Sequence, residues 1–122
     1  MSLRIIAIGV IAVLLGAPGF ARGDDYGAIA YSRHSGKYGY ATRGHSREDA
    51  EERAMRDCHA SDCKVEVWFK NQCGALATAN HGEVTGWAHD SDLRIAKENA
   101  LRNCDEHGGH HCSILIFACA SK

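Results

Sequence analysis

One structural unit is written twice in this chain, and that duplication constrains the fold more than any other feature. "YGAIAYSRHSGKYGYA" at 26–41 lies over "CGALATANHGEVTGWA" at 73–88 with a constant offset of 47 residues. Gly27 falls on Gly74, His34 on His81, Gly39 on Gly86 and Tyr40 on Trp87. One residue then drops out of a loop, and "SREDAEERAMRDC" (46–58) lies over "DLRIAKENALRNC" (92–104). Ala50 meets Ala96, Ala54 meets Ala100, Met55 meets Leu101 and Cys58 meets Cys104. "CKVEVWF" (63–69) closes the first copy as "CSILIFA" (112–118) closes the second. Matches that keep chain order over this length identify an internal repeat.

Each copy has the same local pattern. A short alternating segment (26–32; 73–79) reads as a strand, a turn follows at His34-Ser35-Gly36 or His81-Gly82, and a second strand runs 37–42 or 84–89. Apolar positions 50, 54, 55 and 58, and 93, 96, 100, 101 and 104, make helical stripes. Ser46 is the expected N-cap of the first helix, with Asp49 in its first turn, and Ser91 or Asp92 that of the second. A β-branched strand ends each copy. The expectation is a single α+β domain of two ββαβ repeats (26–70 and 73–119). Its sheet is expected to be antiparallel-rich, with both helices packed on one face and disulfide staples.

The start of the chain indicates the compartment. Arg4 precedes an apolar run from Ile5 to Leu15; Pro18 breaks the pattern, and Gly19 and Ala21 are small. That is the layout of a secretory signal peptide, expected at 1–21, followed by a flexible N-terminus at 22–25 and the domain at 26–122. The run is short of the ~20 residues of a spanning helix, so no membrane insertion is expected after cleavage. A secreted or periplasmic location follows. With 14 basic and 15 acidic residues the chain is no basic nucleic-acid binder.

All six cysteines lie beyond the leader. An even count in a small exported domain reads as a disulfide framework. A four-thiolate zinc site at Cys58, Cys63, Cys104 and Cys112 competes, but neither pair has zinc-knuckle spacing. In each copy a cysteine ends the helix and another starts the closing strand, so repeat symmetry pairs Cys58 with Cys63 and Cys104 with Cys112. Cys73 and Cys119, which lack counterparts, are left for each other.

The segments "YGAIAYS…YGYA", "SDCKVEVWFKNQCGALA", "GWA" and the final "C…IFAC" resemble the bacterial domain of unknown function 4189 across Tyr26 to Cys119. The resemblance implies a small exported bacterial protein and transfers no catalytic residue. Relatives tend to be Gly-rich and basic between the last helix and strand; "CDEHGGHHC" (104–112) departs from that pattern.

Three kinds of chemistry compete. His107, His110 and His111, with Asp105 or Glu106, could supply metal ligands, which makes an exported metal-binding protein one alternative. "WAHDSD" places His89, Asp90 and Ser91 in a row, but sequence neighbours do not make a triad. The carboxylate pairs Asp24-Asp25 and Glu51-Glu52 fall on the new N-terminus and a helix surface, which leaves a small envelope hydrolase as a further alternative. The aromatics point to a third role. Alternation in "KVEVWF" puts Val65, Val67 and Phe69 toward the helices and Trp68 away from them. Tyr38 and Tyr40 share a face, and Trp87 is the repeat partner of Tyr40. Tyr38, Tyr40, Trp68 and Trp87 together would make one recognition patch. The reading that follows is a non-catalytic, exported protein-binding module with no cofactor. Its partner would be a protein in the envelope or outside the cell. An inhibitor of a cell-wall-acting enzyme, or a host- or envelope-interacting factor, is the form such a role would take on grounds of location.

Overall fold

The computed structural model describes residues 23–121; the expected leader lies outside the described residues. Eight elements follow the duplicated order: β1 (Tyr26–Tyr31), β2 (Tyr38–Gly44), α1 (Arg47–Cys58), β3 (Lys64–Lys70), β4 (Cys73–Ala79), β5 (Val84–Asp90), α2 (Leu93–Glu106) and β6 (Ser113–Cys119). Local chemistry fixes the helix starts. Ser46 Oγ accepts from the Asp49 N–H at 3.0 Å, while the Asp49 carboxylate accepts from the His45 N–H. Asp92 caps α2 by accepting from the Arg94 N–H. The His45 bond, with Arg53 behind it, holds the Asp49 carboxyl below its ordinary range.

The domain is α+β, with two repeats and three staples. Its sheet is divided, which the sequence pattern did not reveal. β2-β1-β3 and β5-β4-β6 form two separate three-stranded antiparallel sheets. Ile29, Tyr31, Val67 and Phe69 from the first pack against Leu76, Ala118 and Ala120 from the second. Ala28, Ala30 and Ala41 meet Ala50 and Ala54 of α1, while Ala75 and Ala77 meet Ala96 and Ala100 of α2. The expected common helix face is therefore replaced by a helix–sheet–sheet–helix stack, each helix on the outside of its own sheet. The physical reason lies in β1 and β4, whose residues are buried almost without interruption. A strand buried on both faces needs a cover on each, and here one cover is a helix and the other is the second sheet.

β1 lies against β4 at the centre, β3 lies against β5 at one rim, and β2 lies against β6 at the opposite rim. The closing strands carry equivalent irregularities. The β1–β3 register skips between Ile29 and Ala30, leaving Glu66 as the extra residue. The β4–β6 register skips between Leu76 and Ala77, leaving Leu115. A bulge shifts the alternation of side chains by one. Val67 and Phe69 therefore face the other sheet, and Val65 and Trp68 face α1, which reverses the expected side for three of the four.

The bridges are Cys58–Cys63, Cys73–Cys119 and Cys104–Cys112, with no free cysteine among the described residues. Three disulfides belong to an oxidising, extracytoplasmic setting. The expected flexible segment before β1 is tied down in part. Asp24 pairs with Lys70 at 3.3 Å and accepts from Asn71 Nδ2, and the Asp25 backbone exchanges hydrogen bonds with Asn71.

Candidate functional site

The two rims are built by equivalent residues and have opposite chemistry. At the β3/β5 rim, the bulge residue Glu66 reaches toward β5. Thr85 Oγ1 donates to Glu66 Oε1 at 3.2 Å and accepts from Arg33 Nη2 at 3.0 Å. Thr85 is only 6% exposed and Glu66 is half-buried. Trp87, 44% exposed, stands beside them. Arg33, Glu66, Glu83, Val84, Thr85, Trp87 and His107 line a cavity of about 220 Å³. Arg33 and Glu83 also border an adjoining space of about 430 Å³ with His34, Asp62 and His81. Ser32, fully buried, donates to Asp62 Oδ1 at 2.6 Å. That bond, with the His34 N–H behind it, holds the Asp62 carboxyl below its ordinary range.

At the β2/β6 rim the corresponding residues are apolar or uncharged. The repeat puts Tyr38 where the other rim has Thr85, Tyr40 where it has Trp87, Leu115 where it has Glu66 and Asn80 where it has Arg33. Tyr38 and Tyr40 are 41% and 46% exposed. A groove of about 520 Å³ runs from Tyr40 to Arg53, Arg56 and Asp57 on the last turns of α1 and to His59 just past its end. The outward N–H of each rim strand is satisfied in the same way: the Tyr40 N–H donates to Asp57 Oδ2 and the Trp87 N–H to Asn103 Oδ1. Capping these groups blunts the strand edges without covering the aromatic rings.

The four aromatics expected in one patch are thus divided three ways. Tyr38 and Tyr40 lie together on β2, Trp87 lies on the opposite rim, and Trp68 lies beneath α1. There Tyr26 stacks on Trp68 with centroids 6.5 Å apart, and the Arg47 guanidinium sits 4.4 Å above its ring. Its repeat equivalent, Phe117, carries Lys97 Nζ at 3.9 Å. Both closing-strand aromatics anchor a helix through a cation.

The loop histidines also separate. His107 Nδ1 donates to the Asn103 carbonyl at 2.7 Å and lines the Trp87 cavity. His110 and His111 border a different space with His81. Among the described residues no group of three or more His, Cys, Asp or Glu gathers closely enough to hold a metal ion. The other candidates are likewise engaged elsewhere. His89 donates to Gln72, Asp90 accepts from the Asp92 N–H, and Glu51 pairs with Arg47. Replacing His107, His110 and His111 together with alanine is expected to leave the domain folded at a cost of about 1–2 kcal/mol in all, because His107 caps the end of α2 and His111 has a left-handed backbone. Thermal denaturation checks the stability. Micromolar zinc or copper binding that vanishes in the triple variant would instead establish the loop as a metal site.

Sequence reasoning missed Arg33, Glu66, Glu83 and Thr85. The available signal was the divergence of the repeat at these positions, where Arg33, Glu66 and Glu83 face Asn80, Leu115 and Gly36, and Thr85 faces Tyr38.

The model of the domain of unknown function DUF4189 matches residues 26–119. The chain belongs to the DUF4189 family. The match covers both repeats and all six cysteines, and it ends with β6. The NMR structure of Rv1813c from Mycobacterium tuberculosis is similar to this DUF4189 domain in fold, with a TM-score of 0.58 at 24% identity. The similarity covers 90% of this chain and 97% of that one. Compared with the curated proteins, the chain finds no match.

Proposed function

We propose that this DUF4189 domain is an exported, non-catalytic binding module that grips a protein partner, in the periplasm or outside the cell, through its β2/β6 rim. The observation that supports this reading is the pair Tyr38 and Tyr40, both more than two-fifths exposed on one outer strand. Gly39 and Ala41 face the helix between and beyond them, so the rings project away from it on a rigid, sheet-borne platform. Rigid aromatics of this kind serve as interface anchors. Arg53 and Arg56 beside the groove suit a partner with acidic groups near the contact. Inhibition of a cell-wall-acting enzyme is one form the role would take.

The test uses a partner captured from the native envelope and then purified. Tyr40→Ala is expected to weaken that complex by about 2 kcal/mol or more, the size of an anchor's contribution, with an unchanged melting temperature. Equal affinity for the wild type and a Tyr38→Ala/Tyr40→Ala variant would remove the rim from the interface. Incubation with peptidoglycan, with and without lysozyme, separates the forms of the role. Slower cleavage by lysozyme supports an inhibitor, and cleavage without lysozyme overturns the non-catalytic reading.

A further inference from the structure

The duplicated fold contains its own control. At the β2/β6 rim it is built with Asn80, Leu115, Tyr38 and Tyr40; at the β3/β5 rim the same positions hold Arg33, Glu66, Thr85 and Trp87. The architecture therefore does not require the guanidinium or the carboxylate. Nor do the two charges pair directly: among the described residues, no ion pair within 4.0 Å includes Arg33 or Glu66. Each instead bonds the same nearly buried hydroxyl, that of Thr85. One hydroxyl thus holds a cation and an anion side by side, each with bonding capacity left over, in a cavity that Trp87 also lines. A guanidinium has five donors and a carboxylate about four acceptor sites, so each can take a ligand without giving up Thr85.

We infer that this cavity binds a small zwitterion with an ammonium and a carboxylate on one carbon: the head group of an α-amino acid. Arg33 takes the carboxylate through its free N–H groups, a charge-assisted contact. Glu66 takes the ammonium, with Glu83 as a second carboxylate in the lining. The ligand's side chain lies along Trp87 and Val84. A lone anion would face Glu66 and Glu83, and a lone cation would face Arg33; only a ligand with both charges matches the pair. The volume of about 220 Å³ lies below that of sites for drug-sized ligands, about 300–1,000 Å³, which suits a molecule of amino-acid size. The same head group exists on free amino acids and at the far end of diaminopimelate in a wall peptide. The rim lies across the sandwich from Tyr38 and Tyr40, so this inference stands or falls independently of the partner-binding reading.

Titration of the whole domain, followed by the indole N–H signal of Trp87 in a Trp68→Phe background, tests it. The probes are L-alanine, L-phenylalanine and a diaminopimelate-containing tripeptide. N-acetyl-L-phenylalanine and L-phenylalanine amide each lack one of the two charges. Saturable shifts with a zwitterion, and binding at least ten-fold weaker for both single-charge analogues, are expected. Preference for the tripeptide assigns the head group to wall peptide, and preference for a free amino acid assigns it to a soluble ligand. Arg33→Asn and Glu66→Leu import the other rim's residues and are expected to keep the fold and lose binding at least ten-fold. Glu66→Gln serves if Glu66→Leu does not fold. No shift with any zwitterion at millimolar concentration, equal binding of the single-charge analogues, or undiminished binding by these variants would overturn the assignment.

Discussion

Gly86→Ala is expected to destabilise the domain by about 3 kcal/mol or more, at the upper end of overpacking effects. A Cβ at Gly86 would come within 2.1 Å of the Cys104 nitrogen and 2.4 Å of the Ala100 carbonyl oxygen. Both are backbone atoms of α2, so no side-chain rotation relieves the clash. The helix must lift from β5 or the strand must bend. Lifting is resisted because Cys104 is bonded to Cys112 at the head of β6, and it would open the alanine contacts of Ala96 and Ala100 with the sheet. Gly39 stands in the same relation to α1, with Ala54 O at 2.3 Å and Cys58 N at 2.4 Å from the added atom, and Gly39→Ala should cost a similar amount. Gly23, whose Cβ would meet nothing within 4 Å, is the control. For a domain of about 100 residues, 1 kcal/mol moves the melting temperature by about 4–8 °C, so thermal denaturation should show a drop of more than about 10 °C for Gly86→Ala. A change of less than about 2 °C would mean that α2 does not sit this close to β5.

The glycines also show why much of this fold is legible in the sequence. Gly39 and Gly86 align by repeat, the helices facing them are lined by Ala50, Ala54, Ala96 and Ala100, and the pattern implies close helix–strand contact. Repeat symmetry likewise carries the cysteine pairing, because it removes all but one partner for each half-bridge. Two things were hidden. The division into two sheets follows from the lack of a polar face in "YGAIAY" and "CGALATA". Period-two reading takes the large residues Ile29, Tyr31 and Leu76 as one core side without asking what covers the small ones. The bulges at Glu66 and Leu115 were hidden more deeply. "KVEVWF" alternates only as far as Val67, three apolar residues then run together, and only the register against β1 shows which residue is extra. That single insertion moves Trp68 under Arg47 and aims Glu66 at Thr85. The candidate site was missed for this reason: the alternation put Glu66 with Trp68 on the face away from the helices, whereas the bulge gives it to the rim.

Removing the Cys73–Cys119 bridge should cost more than removing either of the others. Chain-entropy arguments scale the effect with the length of loop closed. The separation is 46 residues for Cys73–Cys119, against 5 for Cys58–Cys63 and 8 for Cys104–Cys112. On that scale the long loop contributes about 4 kcal/mol and each short loop about 2–2.5 kcal/mol. Native contacts act in the same direction. Cys73 and Cys119 are direct partners in the β4–β6 ladder, and the chain just past Cys119 joins the two sheets. The Ala120 N–H donates to Gln72 O, and Ala120 O accepts from the Arg43 N–H of β2 at 2.7 Å. Ala120 itself is fully buried between the sheets. A Cys73→Ala/Cys119→Ala variant therefore loses the tether of a segment that closes the β2/β6 rim. About 4 kcal/mol is a large share of the ~5–15 kcal/mol typical of a folded domain. Urea denaturation of the three double-alanine variants, each with its other bridges intact, gives the order. Hydrogen exchange should show the Arg43 amide losing protection first in the Cys73→Ala/Cys119→Ala protein. If the Cys58→Ala/Cys63→Ala protein proves the least stable of the three, native-state contacts at the helix end outweigh loop entropy.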